Sequence, residues 1–275
     1  MTATPALERT ITTYLEGRER SDQPENIHTD AVALEMGYRG GLVYGTSVYG
    51  WATPLIMDLL GEPWLRGGWA DVRVLRPVYA GEQLTIAATP APDGAYQVDA
   101  RDGDGRVRVA ITVGLGRAEW LEDHHRSGRL DVEPLPSPRP LLRLESAPVG
   151  TDLPALRAGA RDRLARLFDE ASAHERGPIV VDGREVQSPA SFAGRMTWYT
   201  HACWDYAGPS LHARSLVQHL GVVDAGEPVT VAGRLRAVYE RNGHHYSETD
   251  GVIFAADDRE AALTRHTSIF HVAKR

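Results

Sequence analysis

The sequence predicts an α+β fold in which one unit, a long buried helix followed by an antiparallel run of strands, occurs twice. Three observations predict it. Ala80-Gly81-Glu82-Gln83-Leu84-Thr85-Ile86 recurs as Ala225-Gly226-Glu227-Pro228-Val229-Thr230-Val231, an offset of 145 residues in a chain of 275. A weakly charged helical stretch precedes each copy, and matching context on both sides is what a duplication requires. Alternating segments broken by turn residues follow each copy, which is the pattern of a meander and not of a parallel sheet.

In the first copy, Val48, Trp51, Ala52, Leu55, Ile56, Leu59 and Leu60 fall at helical spacing and give a broad apolar face. Thr46 or Ser47 is placed to cap the start and Gly61 to end it, and Pro54 removes one helical hydrogen bond. The stretch Gly41 to Met57 carries no charge, but it is short for a bilayer span and rich in Gly, Ser and Thr. It reads as a helix buried inside the protein. Strands are expected at about 70–78, 83–88, 96–100 and 107–115, with turns at Pro92-Asp93-Gly94 and Asp102-Gly103-Asp104-Gly105.

In the second copy, Ser188-Pro189 supplies an N-cap and an N1 proline. Phe192, Met196, Tyr199 and Cys203 continue that helix, and strands follow at about 215–223, 229–239, 246–255 and 262–272. Residues 1–132 form the N-terminal unit and 155–275 the C-terminal one. A stiff linker, 133–154, joins them and carries Pro134, Pro136, Pro138, Pro140, Pro148 and Pro154. Leu156 to Ala173 reads as an amphipathic surface helix, and Val180 to Arg184 as a small hairpin.

Composition narrows the function. A net charge of −7 disfavours nucleic acid held by bulk electrostatics. A single cysteine, Cys203, excludes a disulfide scaffold and any multi-Cys metal site. Met1 to Arg20 has no apolar run flanked by basic residues, so the expected location is the cytoplasm, with no membrane partner. There is no P-loop and no dinucleotide fingerprint. The pairs His124-His125 and His244-His245 have no ligand partners at metal spacing and read as surface loops. No metal or redox cofactor is implied.

The informative segment is Ser21 to Gly50. His28 stands in Glu25-Asn26-Ile27-His28-Thr29-Asp30, followed by Gly37-Tyr38-Arg39-Gly40-Gly41-Leu42-Val43-Tyr44-Gly45 and then the buried helix. Together with the turn Pro77-Val78-Tyr79-Ala80-Gly81-Glu82, this resembles the MaoC-like hydratase/dehydratase family, and the two-copy arrangement resembles its double hot-dog members. The resemblance covers most of the chain. It implies a tandem double hot-dog, each half a long helix wrapped by a curved antiparallel sheet.

It also implies a lyase adding or removing water at the 2,3-position of an acyl thioester or a related β-hydroxy carbonyl compound. His28 would be the general base or acid, since an unperturbed imidazole titrates near neutrality. Backbone N–H groups of Gly45 and Thr46 would hold the enolate-like oxygen at a helix N-terminus. Coenzyme A or a carrier-protein pantetheine arm would be part of the substrate, and a carrier protein or a second copy of the chain a partner.

The family's Asp lies five residues before its His, where this chain has Gln23. Asp22, six before, and Glu25, three before, are the candidate acids, so the dyad is altered. Tyr44-Gly45 replaces the family's His-Gly, and Tyr44 is either a packed aromatic or a pocket donor. Asp30 is expected to cap a helix over 31–36, and Arg39 to be solvated. Aligned on the repeat, His28 falls at Ala173, so the second half is expected to be non-catalytic, with His201, Trp204, Asp205 and His212 packing or capping. Two alternatives remain: a divergent cyclase or thioesterase in natural-product biosynthesis, and a non-enzymatic acyl-binding subunit.

Overall fold

Two short edge strands, neither of them anticipated, frame the sheet. A computed structural model describes residues 7–15, 26–135, 137–159, 163–174 and 176–273. The first half runs β1 (Glu8–Thr12), α1 (Asp30–Glu35), α2 (Gly45–Leu60), α3 (Glu62–Gly67), β2 (Gly68–Val74), β3 (Gln83–Pro90), β4 (Tyr96–Arg101) and β5 (Val107–Leu115). The second runs β6 (Asp152–Ala158), α4 (Arg163–Ala173), the hairpin β7 (Val180–Val181) and β8 (Arg184–Glu185), α5 (Pro189–Cys203), β9 (Leu211–His219), β10 (Val229–Arg241), β11 (His244–Phe254) and β12 (Glu260–His271).

Ten strands make one antiparallel sheet in the order β1-β3-β4-β5-β2-β9-β12-β11-β10-β6. The order is palindromic: each strand of the first half has its counterpart at the mirrored position in the second. The halves meet at β2 and β9, where Asp71 stands opposite Leu216 and Arg73 opposite Arg214. Facing arginines would repel across a sheet. Asp71 lies between them, accepting from Arg73 and, in a two-pronged contact at 2.7 and 2.8 Å, from Arg214.

The buried helix α2 follows the predicted face, with every residue from Gly45 to Ile56 buried. Pro54 is accommodated without ending it, and Gly61, at φ 64°, closes it as expected. The capping expectation fails. Tyr44 is the N-cap residue and makes no side-chain cap bond, while Thr46 and Ser47 already lie inside the first turn. At α5, by contrast, Ser188 caps as read from the sequence, accepting from Ala190 N–H at 3.0 Å.

Leu156 to Ala173 is not one surface helix. Its first part belongs to β6, which pairs with β10 and begins inside the proline-rich stretch. Only from Arg163 is it helical, and α4 packs between α2 and α5 with Leu167, Phe168 and Ala171 buried. Two glycines permit this approach: a Cβ at Gly50 would stand 2.7 Å from Ala171 Cβ, and one at Gly194 would stand 2.0 Å from the Phe168 ring. The core is therefore two sheet-covered helices with a third wedged between them, which carries Phe168 to the functional cavity. No helix among the described residues is long and apolar enough to cross a membrane.

Candidate active site

A cavity of about 530 Å³ opens at the N-terminus of α2, and both halves of the chain line it. The first half contributes His28, Tyr44, Gly45 and Thr46, four of the residues singled out in the sequence. Asp22 and Glu25 lie outside the described residues.

A hydrogen-bonded turn sets the position of His28. Its N–H donates to Asn26 Oδ1 at 2.9 Å, and Thr29 Oγ1 donates to Asn26 O at 2.9 Å. The glycine loop then passes back over this turn. Leu42 N–H donates to Ile27 O, and His28 Nδ1 meets Leu42 O at 2.5 Å. A carbonyl can only accept, so Nδ1 carries a ring proton. The imidazole stacks on Tyr44, centroids 3.5 Å apart and planes 28° apart, and Tyr44 meets Phe168 edge-on. Tyr44 is thus a packed aromatic that also lines the cavity.

Asp30 does not cap α1; Thr29 is the N-cap residue, and Asp30 Oδ1 accepts from Gly41 N–H at 2.8 Å instead. That bond ties the glycine loop to the turn carrying His28. Arg39 is not simply solvated: it pairs with Glu82 and lies over the Tyr79 ring at 4.1 Å.

Among the described residues, the opening of α2 lacks hydrogen-bond acceptors. Ser47 and Val48 N–H reach back to Tyr44 O, but no residue caps the first turn, and the amides of Gly45 and Thr46 have no acceptor among the described residues. Gly45 lets Val74 pack directly against the helix start, since a Cβ there would stand 2.3 Å from Val74 Cγ2. The same position in the second half is closed. Asp169 Oδ1 accepts from Ser188 N–H at 2.8 Å and Ser191 Oγ at 2.6 Å, while Ser188 Oγ takes the Ala190 amide. Among the described residues, one helix start has no acceptor, while the other is filled by Ser188 and by Asp169 of α4.

The second half nevertheless reaches the cavity. Thr197, Trp198 and His201 come from α5, His212 from β9, and His244 and Tyr246 from β11. His201 and His212 therefore do not merely pack or cap. Trp204 is buried and Asp205 exposed, and neither lines the cavity. His201 Nε2 meets Ser210 Oγ at 2.7 Å. Burial pushes the His201 imidazole down to about 4, with Arg139 adding to the effect, and burial likewise brings His212 to about 4. Both are neutral imidazoles at pH 7.

His244 and His245 lie on β11 and not in a loop, because Asn242 and Gly243, both at positive φ, complete the turn before them. His124 and His125 do follow the strands in irregular chain, half-buried, with His124 Nε2 at 3.1 Å from Thr264 O. Among the described residues, no group of three or more His, Cys, Asp or Glu side chains is placed to hold a metal ion.

Solved structures share this architecture. A MaoC-like dehydratase is 16% identical, with 96% of this chain and 97% of that chain covered and a TM-score of 0.57. A conserved hypothetical protein of Mycobacterium tuberculosis with a double hot-dog fold is 15% identical over 90% and 87%, with a TM-score of 0.58. A Lactobacillus plantarum protein assigned as an oleoyl thioesterase is 13% identical over 99% of both chains, with a TM-score of 0.54. No family model matches the sequence, and no curated protein matches it. The chain has the double hot-dog fold, which it shares with dehydratases and thioesterases.

Proposed function

We propose that this protein adds or removes water at the 2,3-position of an acyl thioester or a related β-hydroxy carbonyl compound. One observation carries the reading: His28, held through Nδ1 by Leu42 O at 2.5 Å, lines the same cavity as the open amides of Gly45 and Thr46. Addition to a 2-enoyl thioester moves negative charge onto the carbonyl oxygen. Two helix-terminal N–H groups suit that oxygen, because they are unsatisfied and lie at the positive end of the helix dipole. His28 Nε2 is the basic nitrogen and would take or return the proton at carbon or water. Asp22 or Glu25 would share the water. Val74, Leu75, Val109, Phe168, Leu211 and Ile269 supply apolar wall for an acyl chain. Coenzyme A or a carrier-protein arm would stay outside as part of the substrate.

Hydrolysis of the same thioester is the second reading. The open amides favour it equally well, since a tetrahedral oxyanion needs the same donors as an enolate. Purified protein and His28→Ala incubated with 2-enoyl-CoA thioesters of several lengths, read by mass, separate the readings. A mass gain of one water that His28→Ala abolishes is the expected result. Free acid and thiol would move the protein to the thioesterases. Tight binding without any mass change would leave an acyl-binding subunit.

A further inference from the structure

Of the described residues that line the cavity, only Leu75 and Arg76 are exposed, so its mouth is there. Both follow Val74, which packs on Gly45 at the α2 opening. The lining residues of the second half are half-buried or buried. The thiol portion of a thioester held at Gly45 and Thr46 therefore leaves past Leu75 and Arg76, and its acyl chain runs into the second half.

The strand order sets the path of that chain. From β2 the sheet continues through β9 and β12 to β11. Leu211, Ile269 and Tyr246 stand side by side on those last three strands, and all line the cavity. Three strand spacings make about 14 Å along the sheet. Past Leu211 and Ile269 the lining turns polar, with Tyr246 and His244 on β11 and Thr197 and Trp198 on α5. His244 and Tyr246, two residues apart, share a face, their rings edge-on at 6.4 Å.

These groups are not spent inside the protein. His244 Nδ1 accepts from Ala273 N–H at 3.0 Å. A nitrogen that accepts carries a lone pair, so the ring proton is on Nε2. Among the described residues, His244 Nε2, Trp198 Nε1, Tyr246 Oη and Thr197 Oγ1 have no hydrogen-bond partner, and none of these atoms is enclosed. The indole N–H and the Nε2–H can only donate, and the two hydroxyls can give or take. A plain hydrocarbon laid along this wall would strip water from the donors and return nothing, which is costly for each group left unpaired. The one arginine that lines the cavity, Arg76, is at the mouth, and no lysine lines it, so this end offers no fixed charge to a carboxylate.

We propose that the inner end of the cavity is a subsite for a neutral oxygen, a hydroxyl or a ketone, that the acyl group carries far from its thioester, with His244 Nε2–H and Trp198 Nε1–H as its donors. This rests on the acyl-thioester reading of the cavity but not on which bond is then made or broken. The substrate class is then an oxygenated acyl chain and not a simple fatty one, and His244 and Trp198 determine specificity.

The test is calorimetric binding of S-(2-oxoalkyl)-CoA thioethers, which keep the carbonyl and can be neither hydrated nor hydrolysed. Chains of several lengths are compared with the same chains carrying a hydroxyl, a ketone or a carboxylate at the far end. At the matching length, wild type should bind the hydroxyl or ketone chain about tenfold tighter than the plain one. His244→Phe and Trp198→Phe, which keep a ring and remove a donor, should each shrink that ratio by at least about threefold, and the double variant should abolish it. Equal binding of plain and oxygenated chains at every length overturns the proposal, while the binding itself upholds the thioester reading. A preference that persists undiminished in the folded double variant overturns it, as does a preference for the carboxylate. A loss shared equally by plain and oxygenated chains also overturns it; if that loss disappears when the thiol portion is cut back to N-acetylcysteamine, the wall holds pantetheine instead. Failure of the wild type to bind any of these compounds overturns both readings.

Discussion

The imidazole of His28 lies flat against the ring of Tyr44, their centroids 3.5 Å apart. The Leu42 carbonyl holds one edge of the imidazole and Tyr44 one face, so the direction of Nε2 is set from two sides. Tyr44 is the N-cap residue of α2, so the stack ties His28 to the helix whose amides would hold the oxygen.

Replacing that ring should therefore cost turnover more than binding. Aromatic pairs contribute about 0.5–1.5 kcal/mol beyond burial, which is roughly two- to thirteenfold in rate if all of it orients the base. Tyr44→Ala should lower kcat by about that factor, while Tyr44→Phe, which keeps the stack, should stay near wild type. Steady-state kinetics on the thioester that proves active would check this; a full loss in Tyr44→Phe would instead make the hydroxyl a chemical group.

Gly45→Ala should abolish activity without unfolding the protein. The new methyl would sit 2.3 Å from Val74 Cγ2 and 3.4 Å from His212 Nδ1. Relief requires movement of Val74 or of the helix start, at a cost typical of overpacking, about 1–3 kcal/mol. Either movement spoils the oxyanion position. Circular dichroism should show a folded protein with a modestly lowered Tm, and the product assay a loss of at least about 100-fold.

Acid should weaken the fold through its buried histidines. His219 lies between Trp64 and Phe192, and burial pushes it down to about 3 from an ordinary 6.5. As pH falls below 6.5 the unfolded chain binds a proton that the folded chain refuses, so stability drops until the folded histidine also titrates near 3. The slope is up to about 1.4 kcal/mol per pH unit for one such residue. Above 6.5 neither state binds the proton and the contribution is constant. Urea midpoints measured between about pH 7 and pH 5 should fall less steeply in His219→Leu than in wild type. His124, His201, His212 and His266, lowered by the same burial, contribute to the slope that remains.

A buried ion pair anchors the far side of the second half. Asp250 accepts from Arg265 Nε at 2.6 Å and Nη2 at 3.1 Å, and from His125 N–H at 2.9 Å. Asp250→Ala should destabilise by about 3–5 kcal/mol, because it leaves the Arg265 charge buried with only Asp123 to face it. The double variant Asp250→Ala, Arg265→Met should recover part of that loss in urea titrations.

Much of this fold was legible because its long elements obey simple periods. The α2 face repeats every three or four residues, and β5 ends where alternation ends, at Leu115. The edge strands were not legible. β1 is five residues long with a single buried side chain, and β6 carries Pro154 at the end of a proline-rich stretch. Pattern reading merged β6 into α4, although Asp162, directly before Arg163, is a residue type that starts helices.

The site divides the same way. His28, Tyr44, Gly45 and Thr46 were readable because they lie within one short segment leading into one helix. His212 was hidden by the bulge at Ala213: period-two reading places it with Arg214, on the face away from Ser215. Contacts that depend on a register shift, or on strands 50 residues apart, leave no local trace.

The palindromic sheet with one open and one closed helix start has a consequence for stoichiometry. Two identical subunits joined across such a seam would present the same opening twice, and any side chain placed to serve one would be placed to obstruct or serve the other. A single chain is free of that constraint. Its second copy can plug its own helix with Ser188 and Asp169 and lend its histidines to its sibling, so each molecule of 275 residues should take up one acyl group and not two.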